Sequence, residues 1–478
     1  MTVNTLHNRS TCENVDVRSN HSEVATVVMA CLITCFGCGN GAKTGPSIPF
    51  NDKAPAVRRA HTPSDSWNSF ARDNQNSGWS PAGFSSLPNK PTWTFSPGAP
   101  LWDYKKGISV WSSPAIAEID GRPRVFIGSY DHHLYCIDGL TGSKQWSFVA
   151  GDGIFSTPVV GKNETEPVVV FGSADRTVYA LSGGSGKRLW TYETFQWKDT
   201  VAPCRMSSPV VGEIAGKPAV LIAAANNDRA GFKNIQKGEL LALDLTSGKP
   251  IWKRTLTTTF ATSPCMGEIK GDTHIFVACQ DGTVRALQLD TGKTVWKFTA
   301  NELIHSSVSF AVIYGRPLVF FGTRHNSIYA LDATSGKRIW KYKCGYWVDS
   351  TPAVAEIAGR AMVFFGSYDR GVFALDARTG KEVWKKSTRE WIAASPLIAS
   401  LAGKRAAFVS SLDGNLYAYD AATGESLWAF NGGPFIWTHI QQGDALWSSP
   451  AAARLGGNSL LVYPSFSYRI HGFVSDDD

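Results

Sequence analysis

A segment that recurs along the chain constrains the fold of this 478-residue sequence more than any other feature. Each copy carries a turn glycine four residues before a tryptophan. The tryptophans of seven copies are 44 residues apart, except for one interval of 62 residues, and they are Trp146, Trp190, Trp252, Trp296, Trp340, Trp384 and Trp428. Ser or Thr before proline also recurs once per unit, with Val308 in the proline place of one unit, at Pro114, Pro158, Pro209, Pro264, Pro352, Pro396 and Pro450. The chain therefore holds seven complete units and the start of an eighth.

Each complete unit contains four short apolar stretches. In the unit that starts at Pro352 they are residues 353–357, 361–365, 371–375 and 382–385, with turn residues such as Thr379 and Gly380 between them. Four strands in a unit of this length are typical of a β-propeller blade. We therefore predict an all-β fold, an eight-bladed β-propeller of four-stranded blades.

The eighth unit has room for only three strands, at residues 451–454, 459–464 and 468–474. The missing outer strand has a candidate at the other end of the propeller, because residues 89–95 repeat the pattern of a turn followed by a tryptophan, here Trp93. We expect this N-terminal strand to close the ring, since closure removes free sheet edges. The propeller is predicted to span residues 66–474, followed by an acidic tail at 475–478.

The repeated glycines and tryptophans suit a structural role. A glycine adopts the positive φ that the turn requires, and the tryptophan offers a flat surface to the neighbouring blade. The Gly-Lys pairs do not complete a phosphate-binding loop, because the full Gly-x-x-x-x-Gly-Lys-Ser/Thr pattern is absent. The predicted blade-docking residues are Trp93, Trp146, Trp190, Trp252, Trp296, Trp340, Trp384 and Trp428.

Ser or Thr also stands directly before each proline place. We expect these hydroxyls to bond the backbone of the blades rather than to act in catalysis. They are Ser113, Thr157, Ser208, Ser263, Ser307, Thr351, Ser395 and Ser449.

Charge and cysteine content exclude several classes of protein. Lys and Arg number 47 against 40 Asp and Glu, and no basic run indicates a nucleic-acid partner. A hydrophobic content of 43% excludes a disordered chain. Five of the nine cysteines lie after residue 38, and they show no pairing pattern, so no disulfide framework is indicated, although a single bridge stays open.

The first 37 residues are predicted to be a signal peptide. Their charge-free apolar run, residues 24–37, is too short to span a membrane. Cys38 follows in a context that resembles a bacterial lipoprotein processing site, with Cys35 in the place that usually holds Leu. Lipidation of Cys38, an ordinary cleaved signal peptide and a misassigned start all remain open. Residues 38–65 are predicted to be a flexible tether, and the protein to be exported: periplasmic, anchored to the outer membrane by lipid, or on the cell surface.

Departures from the regular spacing point to one face of the propeller. Three connections between blades are long, those from Trp93 to Pro114, Trp190 to Pro209 and Trp428 to Pro450. A fourth insertion lies around residues 226–238, between the second and third strands of blade 3. All four emerge on the same face of a propeller, which we call the insertion face.

Aromatic residues outside the repeat also gather on the insertion face, where loops on a rigid scaffold commonly bind partners. His305 and Asp349 are the two ionisable residues of the ring three places before the prolines, at the funnel mouth. The alternative is that the aromatics cap the blades and that the His and Asp are merely solvated. The candidate partner-binding residues are Trp102, Trp111, Trp197, His305, Trp347, Asp349, Trp391, Trp437 and Trp447.

The repeat resembles that of the pyrroloquinoline-quinone-like β-propellers, whose blades carry Ala-x-Asp-x-x-Thr-Gly-x-x-x-Trp, as in residues 374–384 and 418–428 here. The lead-in from Trp67 to Gly78 is similar to the segment that opens many such chains. The best-known members are quinone-dependent dehydrogenases with a calcium or lanthanide site, a catalytic Asp and usually adjacent cysteines. This chain has no adjacent cysteines and no Cys-x-x-Cys-His haem site, so we assign no catalytic, cofactor or metal residue.

A leader, a tether and eight compact blades together resemble the propeller lipoproteins of the outer-membrane β-barrel assembly machinery. This resemblance implies a non-catalytic scaffold that binds a protein partner and is monomeric on its own. Two alternatives remain. One is a dehydrogenase dependent on pyrroloquinoline quinone and calcium, and the other is a cell-surface propeller that binds carbohydrate or peptide.

Overall fold

A computed structural model describes residues 50–51, 56–58, 75–97, 112–194, 204–226, 238–256, 262–433, 448–465 and 467–476. Three short strands precede the blades: β1 (Val57–Arg58), β2 (Trp79–Phe84) and β3 (Trp93–Phe95). Every other described element is also a strand, and none of the described residues forms a helix. No helix long and apolar enough to cross a membrane is found in this part of the chain.

The first four blades follow in chain order. Each forms one antiparallel sheet in which consecutive strands pair. Blade 3 has one extra short strand, which pairs antiparallel with the ten-residue strand of that blade. Blade 1 comprises β4 (Ala115–Ile119), β5 (Arg122–Gly128), β6 (His133–Asp138) and β7 (Lys144–Val149); blade 2 comprises β8 (Val159–Lys162), β9 (Pro167–Gly172), β10 (Thr177–Ser182) and β11 (Arg188–Glu193); blade 3 comprises β12 (Cys204–Met206), β13 (Val210–Ile214), β14 (Lys217–Asn226), β15 (Gly238–Asp244) and β16 (Pro250–Leu256); blade 4 comprises β17 (Cys265–Ile269), β18 (Asp272–Ala278), β19 (Thr283–Gln288) and β20 (Thr294–Thr299).

The last four blades repeat this pattern. Blade 5 comprises β21 (Ser309–Ile313), β22 (Arg316–Thr323), β23 (Ser327–Asp332) and β24 (Arg338–Lys343); blade 6 comprises β25 (Ala353–Ile357), β26 (Arg360–Gly366), β27 (Gly371–Asp376) and β28 (Glu382–Ser387); blade 7 comprises β29 (Leu397–Leu401), β30 (Lys404–Ser410), β31 (Asn415–Asp420) and β32 (Ser426–Asn431); blade 8 comprises β33 (Ala451–Leu455), β34 (Asn458–Pro464) and β35 (Ile470–Asp476). The predicted eight-bladed all-β propeller is confirmed.

The fourth strand of blade 8 comes from the start of the propeller. Strand β3 pairs antiparallel with β35, with Trp93 opposite Gly472 and Phe95 opposite Ile470. The N-terminal closure predicted from the repeat is therefore present. It joins residues from the two ends of the propeller in one sheet.

The hydrophobic core lies between neighbouring blades rather than at the centre of the ring. One cluster combines Val168 and Val170 of blade 2 with Leu241 and Leu243 of blade 3. Between blades 4 and 5 the rings of Phe276 and Phe310 stack with their centroids 5.5 Å apart. Adjacent blades are therefore held together by apolar contact.

Two segments before the blades occupy the inner edges of the first strands, which border the central channel. Strand β1 pairs with β21 of blade 5, and β2 runs parallel to β29 of blade 7. Residues 57–58 were predicted to be tether, but they form this strand because the innermost strand of a blade leaves its edge N–H and C=O groups free to pair. Phe50 also packs against Arg316 and Arg378, whose guanidinium carbons lie 5.0 and 5.2 Å from its ring centroid.

The segment 75–80 bridges several blades across the channel. The carbonyls of Gln75, Ser77 and Gly78 accept from the backbone N–H groups of blades 5, 6 and 7, at 2.9, 2.9 and 2.7 Å. Asn76 Nδ2 donates to the Val308 carbonyl at 2.9 Å, and Ser80 Oγ donates to the carbonyl of Ala452 in blade 8 at 2.8 Å. These five residues link four neighbouring blades, so the lead-in fills this part of the channel.

Candidate functional site

Four of the nine predicted partner-binding residues lie within the described part of the chain. His305, Trp347, Asp349 and Trp391 all precede the first strand of a blade, in the connections that lead into blades 5, 6 and 7. The other five lie outside the described residues, as does Cys38: they are Trp102, Trp111, Trp197, Trp437 and Trp447.

Asp349 is held in a buried ion pair rather than left in solvent. Arg324, from the turn between β22 and β23, donates through Nε to both carboxylate oxygens at 3.1 and 3.2 Å and through Nη2 to Oδ2 at 2.8 Å. The side chains are only 8% and 2% exposed. Two-point pairing of this kind fixes both side chains in one orientation. Asp349 is therefore not simply solvated, which was the alternative that the sequence left open. His305 is half-buried on the connection into blade 5.

An aromatic cluster extends from this ion pair across blades 5 to 7. The Arg324 guanidinium lies 4.7 Å from the centroid of the Trp347 ring, within cation–π distance. Trp347 stacks on Tyr346 at 5.0 Å and contacts Tyr368 at 5.7 Å, and Tyr368 in turn contacts Trp391 at 5.3 Å. We call these four aromatic residues with Arg324 and Asp349 the aromatic cluster.

The aromatic cluster is a rigid base with a partly open surface. Tyr368 is buried, Trp347 and Trp391 are half-buried, and Tyr346 is 43% exposed. Backbone bonds hold the loops that carry them: Tyr368 N–H donates to the Trp347 carbonyl at 2.9 Å, and the Leu412 N–H donates to the Trp391 carbonyl at 2.9 Å. The surface is therefore preorganised before any partner arrives.

Sequence reasoning missed Arg324 and Tyr368. They hold equivalent places in the turns of blades 5 and 6, where blade 1 has Tyr130 and blade 2 has Ala174. A comparison of these turns between blades would have shown that the residue at this position varies, and it would have marked the position as a candidate. The burial of Arg324 against Asp349 requires the folded ring, because their loops belong to different blades.

The docking tryptophans contact the next blade in a repeated way. Seven indole Nε1 groups donate to a carbonyl in the turn that follows the third strand of the neighbouring blade; Trp384, for example, donates to Ala421 at 2.9 Å. The turn glycine lies against the same ring, and a Cβ on Gly424 would come within 2.8 Å of Trp384. The eighth, Trp428, differs: its buried Nε1 has no hydrogen-bond partner among the residues that the structure describes.

The Ser and Thr hydroxyls connect the blades near the channel. In seven of the eight blade pairs the backbone N–H of one such residue donates to the hydroxyl of the next, at distances from 2.9 to 3.2 Å. The last of these bonds runs from Ser449 N–H to Ser113 Oγ at 2.9 Å and joins blade 8 to blade 1. These hydroxyls therefore bond backbone, as the sequence predicted.

The described ranges contain no cluster of metal ligands: no group of three or more His, Cys, Asp and Glu side chains is placed there to hold a metal. Both oxygens of Asp349, the funnel carboxylate, are already bound to Arg324. Cys136, Cys265, Cys279 and Cys344 are buried, and burial raises the pKa of the Cys344 thiol to about 11. The side chain of the fifth, Cys204, lies outside the described residues.

Several solved structures share the fold of this chain. Solved structures with a similar fold include the quinohemoprotein alcohol dehydrogenase of Comamonas testosteroni, with 14% identity, a TM-score of 0.65, and coverage of 87% of this chain and 81% of that one. Sqt1 of Saccharomyces cerevisiae has 11% identity, a TM-score of 0.59, and coverage of 82% and 100%. BamB of Moraxella catarrhalis has 14% identity, a TM-score of 0.50, and coverage of 80% and 99%. At these identities the likenesses establish the fold alone.

Sequence comparison gives the family. No curated protein sequence is significantly similar to this chain. The family model described as outer membrane protein assembly factor BamB matches residues 92–275, 280–431 and 357–462. These matches extend over most of the propeller, and the chain therefore belongs to the family described as outer membrane protein assembly factor BamB.

Proposed function

We propose that this protein is a non-catalytic scaffold that binds a protein partner through the insertion face. The observation that carries the proposal is the aromatic cluster. Aromatic side chains contribute a large share of the binding energy of protein interfaces, and here Tyr346, Trp347 and Trp391 lie together above a buried arginine. The buried ion pair with Asp349 holds the arginine under Trp347, so little side-chain entropy is lost when a partner covers the cluster.

The family supports a place for this scaffold in the cell envelope. The family is described as an assembly factor of the outer membrane, and the predicted leader would export the chain. We propose that the mature protein is exported and held at the outer membrane by a lipid on Cys38. The long connections that contain Trp102, Trp111, Trp197, Trp437 and Trp447 would then extend the binding surface around the aromatic cluster.

Site-specific photo-crosslinking in the source organism tests the binding face. A benzophenone amino acid replaces Tyr346 on the insertion face, or Glu425 on the opposite face, where the Glu425 side chain is 68% exposed. We expect a discrete crosslinked partner, identified by mass spectrometry, from position 346 and none from position 425. Crosslinks from position 425 alone would refute the assignment of the face.

Affinity for that purified partner then tests individual residues. Replacement of Trp347 or Trp391 by Ala is expected to weaken binding by about 30-fold or more, because truncation of a central aromatic contact costs about 2 kcal/mol or more. Tyr314, a half-buried aromatic residue on the opposite face, provides a matched Tyr314→Ala control that leaves affinity unchanged. The same titration applies to Trp111→Ala and Trp447→Ala. Unchanged affinity in all four insertion-face variants would remove the cluster from the site.

Two further measurements test the rest of the proposal. Fatty-acid labelling of the protein should disappear in Cys38→Ser, and persistence of the label would refute lipidation at this residue. Titration with pyrroloquinoline quinone and Ca²⁺, combined with dye-linked oxidation of alcohols, tests the dehydrogenase alternative. We expect neither saturable heat nor turnover, and both together would overturn the scaffold.

A further inference from the structure

A pocket lies on the face opposite the insertion face, between blades 6 and 7. Its volume is about 260 Å³, and its lining combines Val57 of β1 and Trp79 of β2 with the turn between the first two strands of blade 6 and with Arg405 of blade 7. The blade 6 residues are Glu356, Ala358 and Gly359. The two N-terminal strands inserted along the channel therefore build one wall of the pocket.

Arg405 departs from the repeat. It stands opposite Ser400 in the pairing of the first two strands of blade 7. In the other seven blades the place of Arg405 is held by an uncharged residue, and these are Pro123, Pro167, Pro218, Thr273, Pro317, Ala361 and Ser459. The place of Ser400 is held by Glu in four blades: Glu118, Glu213, Glu268 and Glu356. Blade 7 therefore has the neutral Ser400 where four blades have Glu, and it has the cation Arg405 opposite Ser400.

The guanidinium of Arg405 has no ionic partner among the described residues. Its Nη1 donates to Ser400 Oγ at 3.1 Å, and its Cζ lies 5.3 Å from the centroid of the Trp79 ring. Other arginines at the start of second strands are paired: Arg124 with Asp138 at 2.6 Å and Arg316 with Asp332 at 2.9 Å. Burial without a neighbouring carboxylate lowers the pKa of Arg405.

Glu356 brings the opposite charge to the same pocket. Its Oε2 accepts the backbone N–H of Val57 at 3.3 Å, and no cation of the described residues pairs with this carboxylate. Glu356 and Arg405 are not in ion-pair contact with each other in the described structure, although both line the pocket. A cation and an anion therefore face one small cavity, with apolar surface from Trp79 and Val57 between them.

We propose that this pocket binds a zwitterionic ligand of amino-acid size. Its carboxylate pairs with Arg405, its ammonium group with Glu356, and its apolar side chain packs against Trp79 and Val57. A guanidinium matches a carboxylate with two parallel hydrogen bonds, and the half-burial of Arg405 strengthens its ion pair. The volume lies just below the range of drug-sized sites and excludes a dinucleotide.

Calorimetric titration of the whole mature protein tests this pocket. The probes are L-phenylalanine, 3-phenylpropanoate, which lacks the ammonium group, and 2-phenylethylamine, which lacks the carboxylate. We expect saturable one-to-one binding of L-phenylalanine, weakened about tenfold or more for each of the other two, since each loses one ion pair. Absence of saturable binding for all three probes up to about 10 mM would overturn the proposal.

Variants locate the binding. Arg405→Ala introduces the residue type that Ala361 holds in blade 6, so folding is expected to survive, and binding of L-phenylalanine should fall about tenfold or more. Glu356→Gln should weaken L-phenylalanine but not 3-phenylpropanoate. Arg360→Ala is the matched control, because that arginine, also at the start of a second strand, is paired with Asp376 at 2.7 Å. If Arg405→Ala does not fold, the effect of Glu356→Gln and the relative affinities of the three probes still test the proposed site.

Affinity unchanged by Arg405→Ala and Glu356→Gln would overturn the proposed site. The inference does not rest on the proposed function, since the pocket and the aromatic cluster lie on opposite faces. Loss of partner binding in Trp347→Ala and loss of amino-acid binding in Arg405→Ala are expected to be independent of each other.

Discussion

The contact between blades 7 and 8, which we call a seam like every contact between neighbouring blades, differs from the other seams in its indole hydrogen bond. This difference predicts that replacement of the docking tryptophan by Phe lowers stability by unequal amounts at different seams. Trp384 donates its indole N–H to the Ala421 carbonyl at 2.9 Å, whereas the buried Nε1 of Trp428 has no hydrogen-bond partner in the described part of the chain. The accepting carbonyl belongs to the turn that leads into the outer strand of the next blade. In the described part of blade 8 no such turn leads into the outer strand, because that strand, β3, comes from the start of the propeller.

Replacement of each tryptophan by Phe keeps an aromatic ring and removes the N–H. In Trp384→Phe the Ala421 carbonyl loses its donor, and an unsatisfied buried polar group costs about 1–3 kcal/mol. In Trp428→Phe no hydrogen bond is lost, and removal of an unpaired buried N–H offsets part of the lost ring contact. We therefore expect Trp384→Phe to lower the free energy of unfolding by about 1–3 kcal/mol more than Trp428→Phe.

Urea unfolding of both variants and the parent, followed by tryptophan fluorescence and circular dichroism, measures this difference. Trp340→Phe is the control, because Trp340 donates to the Ala377 carbonyl at 2.9 Å and should behave like Trp384. An equal or larger loss of stability in Trp428→Phe would refute the argument that the docking hydrogen bonds, rather than ring packing, set the difference between seams.

Three further predictions concern other parts of the ring. Burial lowers the pKa of His471 from 6.5 to about 4, so the unfolded chain binds the proton at a higher pH than the folded chain does. The free energy of unfolding should therefore drop by up to about 3 kcal/mol as the pH falls from 6.5 to 4. Urea unfolding of His471→Asn should show that this part of the pH dependence is lost. Asp349→Ala leaves Arg324 buried without a carboxylate and should cost about 3–5 kcal/mol; a loss below about 1 kcal/mol would contradict the assigned ion pair. Gly380→Ala places a Cβ 2.7 Å from the indole of the preceding blade, whereas the Cβ of Gly359→Ala, also at positive φ, meets open space. Thermal unfolding should show Gly380→Ala to be less stable than Gly359→Ala by about 1–3 kcal/mol. Equal losses of stability would show that backbone strain alone sets the cost.

The fold was accessible from sequence because its information is local and repeated. A glycine and a tryptophan recur at a constant spacing, so one correct interpretation of a unit applies to every blade. Even the closure by Trp93 could be predicted, since the N-terminal strand copies the pattern that the eighth unit lacks. The ring of Ser and Thr hydroxyls followed from the same regularity.

The candidate site was only partly accessible. The sequence pointed to Trp347, Trp391 and Asp349 as departures from the repeat, but it did not indicate that Asp349 is buried against Arg324. That pair joins residues 25 positions apart on loops of neighbouring blades. Whether two such side chains meet depends on the distance between blades, which no local pattern contains.

The sequence alone determined the number of blades, their strand order and the strand that closes the ring, because these depend on periodicity and on turn residues. The tertiary structure decided what lies in the channel and what meets around it. Ser80 bonds Ala452 across 372 positions of sequence, and Trp79 meets Arg405 only because β2 lies along blade 7. Such contacts form when closure of the ring brings the inner edges of several blades around one axis. Their energy comes from burial and pairing of groups that are far apart in the chain, and so only the folded ring specifies them.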